Sequence, residues 1–145
     1  NKGKAITAFD FDSQLGKSQL QKHIREADII IESSRPRAMD NMGISAEEEV
    51  DRGAIWCSIT GYGRYLHPNR VGFGDDAAAA GCLLAQVDKS LWFVGDATAD
   101  PLTGATAAAL THGLWFAGSS GLIDISLAAT SNLHTHGVIP KGIMW

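Results

Sequence analysis

The sequence predicts an α/β fold, a mainly parallel sheet with helices on both faces, and three observations carry that expectation. Strand and helix signals alternate along the chain, the order in which parallel strands are joined by crossover helices. Apolar runs at Ile29 to Ile31, Ala54 to Ile59 and Leu91 to Val94 have the two-sided character of strands buried in such a sheet. The last run passes through Gly95-Asp96 into a long apolar stretch, so a strand, a tight turn and a helix follow one another. Chemistry in α/β proteins collects at the carboxyl ends of strands, which makes Asp96 the first candidate.

The elements follow in order. Ala5 to Phe9 is a short strand candidate. Ser13 is placed to cap a helix in which Leu20, Ile24 and Ala27 share one face and Lys17, Gln21, Lys22 and Arg25 face outward. Asp28 to Glu32 is an aliphatic strand, and Pro36 interrupts after it. Ala38 to Met42, ended by Gly43, has room for one or two helical turns. Ser45 and Glu48 have capping-box spacing and open a short acidic helix through about Asp51. After the strand Ala54 to Ile59, the stretch from Gly61 to Gly74 is loop by composition. Asp75 to Leu84 reads as an Ala-rich helix, followed by the Leu91 strand. Ala105 to Ala117 is apolar on nearly every side and reads as a buried helix, with Trp92, Trp115 and Phe116 in the core, and Leu122 to Ser126 is the last strand.

Composition sets bounds. A chain of 145 residues holds one domain with a real core, and 45% hydrophobic with 19% charged residues is ordinary for globular proteins. A net charge of −4 argues against non-specific nucleic-acid or anionic-membrane binding. Cys57 and Cys82 sit in apolar runs without metal or disulfide spacing, which suggests reduced core thiols in a cytoplasmic protein. His134-Thr135-His136 lacks a Cys or Glu at zinc-site spacing and reads as a solvated tail, so no metal is expected. No apolar stretch approaches the roughly 18 residues of a membrane span.

Four blocks in order resemble the family III CoA transferases, the group of formyl-CoA transferase, carnitine CoA-transferase and α-methylacyl-CoA racemase. They are Asn1 to Lys4 with Ala8-Phe9-Asp10, then Ala27 to Pro36, then Cys57 to Gly63, and finally Gly95 to Gly104 with Ser120 to Leu127. The resemblance covers residues 1 to about 128 and implies a partial, Rossmann-like large domain, with 129–145 a tail or the start of a linker. Family members are much longer, so it also implies a fragment or reduced form, the middle of a transferase.

The same resemblance implies a mechanism and a site. The residue matching the family nucleophile is Asp96, and aspartate, ionised at neutral pH, needs no partner base. It attacks an acyl-CoA, forms an aspartyl anhydride and then an aspartyl-CoA thioester, and passes CoA to an acceptor carboxylate. As a structural alternative, Asp96 caps the following helix; the two roles are compatible. CoA contacts carry over to Phe9, Asp10, Phe11 and Asp12, to Ser33, Ser34 and Arg35, to Asn41, and to Val71, Gly72, Phe73 and Gly74. The family commonly has Asn-Phe where Ser33-Ser34 stand and a basic residue where Asp12 stands. Arg35 and Arg37 are placed to compensate, although a Pro-flanked arginine pair is equally an ordinary surface loop.

Asp75-Asp76 reads as a charge pair at a helix start, and Asp100, before Pro101, as an extended turn residue. CoA and acyl-CoA enter as substrates with no permanently bound cofactor, and the partners implied are an acyl-CoA, a carboxylate and a second copy in a homodimer. The isolated chain is expected neither to turn over acyl-CoA nor to bind CoA tightly, because an exposed anhydride is lost to water. A non-catalytic CoA-binding or assembly module is the alternative. A racemase-like activity ranks third, because His67 lies too early in its loop to match the racemase histidine.

Overall fold

The computed structural model describes residues 2–135. Helix α1, Gln14–Arg25, starts where Ser13 Oγ accepts the Gly16 N–H, and leads to strand β1, Ile29–Glu32. Helix α2, Pro36–Asn41, begins with proline at its first position, where the missing N–H costs nothing. Helix α3, Ala46–Asp51, is capped by Ser45 Oγ, which accepts the Glu48 N–H at 3.2 Å. Strand β2 is Ile55–Thr60 and helix α4 is Gly74–Ala80. Strands β3, Leu84–Val87, and β4, Ser90–Phe93, precede helix α5, Ala99–Phe116, strand β5, Gly121–Ser126, and helix α6, Leu127–His134.

Strands β1, β2 and β5 form a parallel sheet in that order, with Ile30, Trp56 and Leu122 in one row and Glu32, Ser58 and Asp124 two rows further on. Side chains alternate faces along a strand, so those two rows share a face. On that face Ile30 and Trp56 pack with Ile24 of α1, Ala46 of α3 and Met39 of α2. On the other face Cys57 and Ile125 pack against Ala107 of α5. A third cluster, Ala77, Ala78, Ala99 and Leu127, joins the three helices α4, α5 and α6.

Several expectations need correction. Ala5 to Phe9 forms no strand; Ile6 is exposed, and no described strand pairs with the segment. Helix α4 ends at Ala80 rather than Leu84, because Cys82 turns the chain at φ +62° and Leu84 enters an antiparallel hairpin with β4. The run Leu91 to Val94 is therefore not a buried parallel strand: every residue of β4 is exposed. Helix α5 buries only a stripe, Ala99, Thr103, Ala107 and Thr111, while Leu110, Trp115 and Phe116 face outward. Trp92 and both aromatics of α5 are thus surface, not core. His134, read as part of a solvated tail, belongs to helix α6, with Nδ1 2.8 Å from the Thr130 carbonyl. His136 lies outside the described residues.

Candidate functional site

The carboxyl ends of the three parallel strands open on a cavity of about 400 Å³. Its walls are Ser33, Ser34 and Arg35 after β1, Ile59, Thr60 and Gly61 at the end of β2, and Leu127 after β5. The loop from Gly61 to Gly74 contributes Gly63, His67, Pro68, Arg70, Val71, Gly72, Phe73 and Gly74, and the first turn of α5 contributes Asp100.

That loop is held at its root by the sheet. Gly63 N–H donates to Thr60 Oγ1 at 2.9 Å, and Arg64 N–H donates to both carboxylate oxygens of Asp124 at 2.9 and 3.1 Å. Ser126 Oγ and the Ala128 N–H both donate to the Gly61 carbonyl. The loop's two ends meet so closely that a Cβ on Gly61 would lie 2.9 Å from Gly72 Cα. Glycine is therefore required by the approach of one backbone to another. Further out, the buried Arg64 guanidinium pairs with Glu47 at 3.5 Å, and Tyr65 OH donates to the same carboxylate at 2.9 Å. Burial alone would raise the Glu47 carboxyl, but its backbone hydrogen bond, the Tyr65 hydroxyl and the Arg64 charge outweigh it and hold the group below its ordinary value. Burial, together with the Glu47 carboxylate, pushes the Tyr65 phenol up.

The charges around the cavity are divided. Arg35 and Arg70 line it with His67, and the Arg70 guanidinium lies 3.6 Å from the centre of the Tyr62 ring, a cation–π contact that orients it. Asp100 supplies the negative group. It stands in the first helical turn of α5, with its N–H on the Ala97 carbonyl, and is not an extended turn residue. Pro101 is tolerated there because N–H groups of a first turn lack helical acceptors in any case. Asp100 also sits tightly over Gly74: a Cβ on that glycine would lie 2.6 Å from Asp100 Oδ2 and 2.8 Å from Ala97 Cβ.

The cavity gathers seven expected site residues, Ser33, Ser34, Arg35, Val71, Gly72, Phe73 and Gly74, from two distant segments. Phe9, Asp10, Phe11, Asp12 and Asn41 are not in its lining. Phe9 instead stands edge-on to His23, and Asp10 Oδ1 accepts the Asp12 N–H in the turn before α1. Asp96 is exposed in the turn between β4 and α5 and does not line the cavity, whereas Asp100, four residues on, does. The two are linked through Ala97, held at φ +46° by a 2.8 Å hydrogen bond from its N–H to Asp75 Oδ1. Asp75 and Asp76 are thus structural: Asp76 Oδ1 accepts the Phe73 N–H at the start of α4. Sequence reasoning misses Arg70 and Thr60, whose signal is a cation in a Gly-rich loop and a hydroxyl at a strand end.

Cys57 is buried with its thiol pushed up chiefly by desolvation, the opposite of an activated nucleophile. Among the described residues no group of three His, Cys, Asp or Glu comes together to hold a metal, and no helix is long and apolar enough to cross a membrane.

A parallel three-stranded sheet flanked by helices, with its cavity at the strands' carboxyl ends, defines a Rossmann-like α/β domain. The sequence profile of CoA-transferase family III matches residues 1–134, and the chain belongs to that family. Among solved structures it is similar to a CaiB/BaiF family protein from Brucella suis, with 24% identity and a TM-score of 0.74 over 86% of this chain and 35% of that one. It is also similar to Rv3272 from Mycobacterium tuberculosis, with 18% identity and a TM-score of 0.81 over 94% of this chain and 41% of that one. At these identities the likeness is one of fold, and the chain spans well under half the length of either protein. No curated protein sequence matches it.

Proposed function

We propose that the cavity takes the CoA portion of an acyl-CoA and that an aspartate at the start of α5 is the nucleophile of CoA transfer to a carboxylate. The observation that carries this is one cavity lined both by cations, Arg35 and Arg70, and by the carboxylate of Asp100. The cations suit phosphate groups, and the first turn of a helix suits a carboxylate. In the proposed reaction a carboxylate oxygen attacks the thioester carbonyl and CoA leaves as thiolate, giving a mixed anhydride. The thiolate then attacks the aspartyl carbonyl, releasing the first acid and leaving an aspartyl-CoA thioester. The acceptor carboxylate repeats the two steps in reverse, so the aspartate is regenerated and no redox partner is needed.

Sequence resemblance points to Asp96 as this nucleophile, while the cavity lining supports Asp100. Hydroxylamine trapping in a full-length protein carrying this segment separates them: incubation with an acyl-CoA and hydroxylamine converts the activated aspartate to a hydroxamate, which peptide mapping locates. Label on Asp100, lost in Asp100→Asn and retained in Asp96→Asn, is the expected result. Label on Asp96 would move the nucleophile there, and label on neither would sink the carboxylate mechanism.

His67 in the same cavity favours a second reading, proton transfer at the carbon next to the thioester carbonyl. Deuterium uptake from heavy water into a 2-methylacyl-CoA, without CoA release, would select it. Self-association is part of the proposal, supported by the exposed apolar surfaces of β4 and α5. A reducing, cytoplasmic setting is supported by two free, buried cysteines, Cys57 and Cys82.

A further inference from the structure

We propose that Glu32 is a positioning residue of this cavity, fixing the Ser33–Arg35 segment and with it the Arg35 side chain. The proposal rests on the reading of the cavity as the CoA site. Glu32 is the last residue of β1 and, at 8% exposure, a buried carboxylate. Its Oε2 accepts both the Ser34 N–H and the Ser34 hydroxyl, each at 2.7 Å. Its Oε1 accepts the hydroxyl of Ser58, which is fully buried on the neighbouring strand. One carboxylate therefore ties the segment leaving β1 to itself and to β2, immediately before Arg35 takes the N-cap position of α2.

This arrangement changes what Ser34 does. Both of its donors are committed to Glu32, so Ser34 shapes the wall rather than donating to a phosphate. The group free to meet an anion from this segment is the exposed Arg35, whose backbone is pinned on both sides, by Ser34 before it and by α2 after it. A carboxylate is required because both Ser34 groups are donors aimed at one oxygen. An amide that turned its NH₂ toward them would set donor against donor, and one that turned its oxygen toward them would set its NH₂ against the Ser58 hydroxyl, which would have to find another acceptor.

CoA itself is the probe, titrated into the 145-residue chain by ligand-observed NMR, which reads weak affinities. Glu32→Gln should weaken binding about tenfold, the equivalent of one mispaired buried hydrogen bond, without loss of the folded spectrum. Ser34→Ala should weaken it by roughly threefold alone and add nothing in the Glu32→Gln background, because the two groups act as one unit. Ser34→Thr, which retains both donors, should restore binding relative to Ser34→Ala. Should Glu32→Gln fail to fold, the Ser34 pair still decides, since neither change removes the carboxylate. Arg35→Ala and Arg70→Ala separate the two levels of inference. If they weaken CoA binding while Glu32→Gln and Ser34→Ala do not, the positioning role is wrong and the CoA site stands. If neither arginine variant changes binding, the CoA site and the positioning role built on it both fall.

Discussion

The two faces of the sheet are unequally covered. On one, α1, α2 and α3 close over Trp56, which is fully buried, and Ile30. On the other, α5 lays a stripe of small residues on the sheet but turns Leu110, Trp115 and Phe116 outward, and the hairpin that precedes it in the chain exposes Leu91, Trp92 and Phe93. Trp56 and Trp92 both sit in apolar runs of similar length. What separates them is the availability of a partner: β2 is flanked by two strands and covered on both faces, whereas among the described residues β4 pairs with β3 alone. An apolar run in a sequence thus reports a demand for burial, not the identity of the surface that meets it.

The largest expected effect tests the closed face. Trp56→Ala should cost about 3–5 kcal/mol, enough to unfold a domain of ordinary stability. Trp92→Ala should change monomer stability by no more than about 0.5 kcal/mol, as for other surface positions. Denaturant titrations of the two variants check the difference, and equal losses would mean that the hairpin is as buried as the sheet.

Much of the closed face is legible in the sequence because each signal there is local. The Ser13 cap, the Leu20–Ile24–Ala27 face, the aliphatic β1 and the Ser45 cap all act within a turn or two of themselves, whereas Pro36, read as an interruption, opens α2 instead. The hairpin is not legible because its two-residue turn uses Asp88 at φ +56° in place of the usual glycine. Helix α5 reads as buried all round because its outer face is as apolar as its inner one. Of the cavity wall, Ser33 to Arg35 and Val71 to Gly74 are named through the family resemblance, on segments that end or enter regular elements. Arg70 and Asp100 reach the cavity only through the folded path of the loop and of the Ala97 turn, which no spacing rule encodes.

The next effect in size concerns the junction of α4 with α5 at the cavity. Gly74→Ala would place a methyl group 2.6 Å from Asp100 Oδ2 and 2.8 Å from Ala97 Cβ. The α5 turn must then move, at a cost of roughly 1–3 kcal/mol by analogy with overpacked cores. Hydroxamate labelling of the α5 aspartate should fall at least tenfold while the folded spectrum is retained. Unchanged labelling would show that the placement of Asp100 over Gly74 has no bearing on reactivity.

A smaller effect on stability, with a clear one on assembly, is expected at the open face. Replacing Trp92 and Trp115 by Glu should leave the fold intact and shift sedimentation from associated species to monomer, because like charges in an apolar contact oppose association. A parent chain that already sediments as a clean monomer at micromolar concentration would remove self-association from the proposal.

The smallest effect lies in the latch that holds the cavity loop to α3. The Glu47 carboxyl is lowered in the folded chain, so its contribution is complete above the ordinary glutamate range and is lost as pH falls through the lowered value. The Tyr65 phenol is raised, so its contribution is complete below the ordinary tyrosine range and is lost as pH rises through the raised value. The latch is therefore whole from roughly pH 5 to pH 9, inside the reference values for the two groups. Glu47→Gln removes the acceptor charge that both Tyr65 and Arg64 use. A titration of ring-labelled tyrosine should then show Tyr65 moving down toward its ordinary value. Amide exchange at Tyr65 and Leu66 should quicken, and exchange at Gly63 and Arg64, held separately by Thr60 and Asp124, should not. If Tyr65 titrates alike in parent and variant, the loop is held by its root alone and α3 has no part in shaping the cavity.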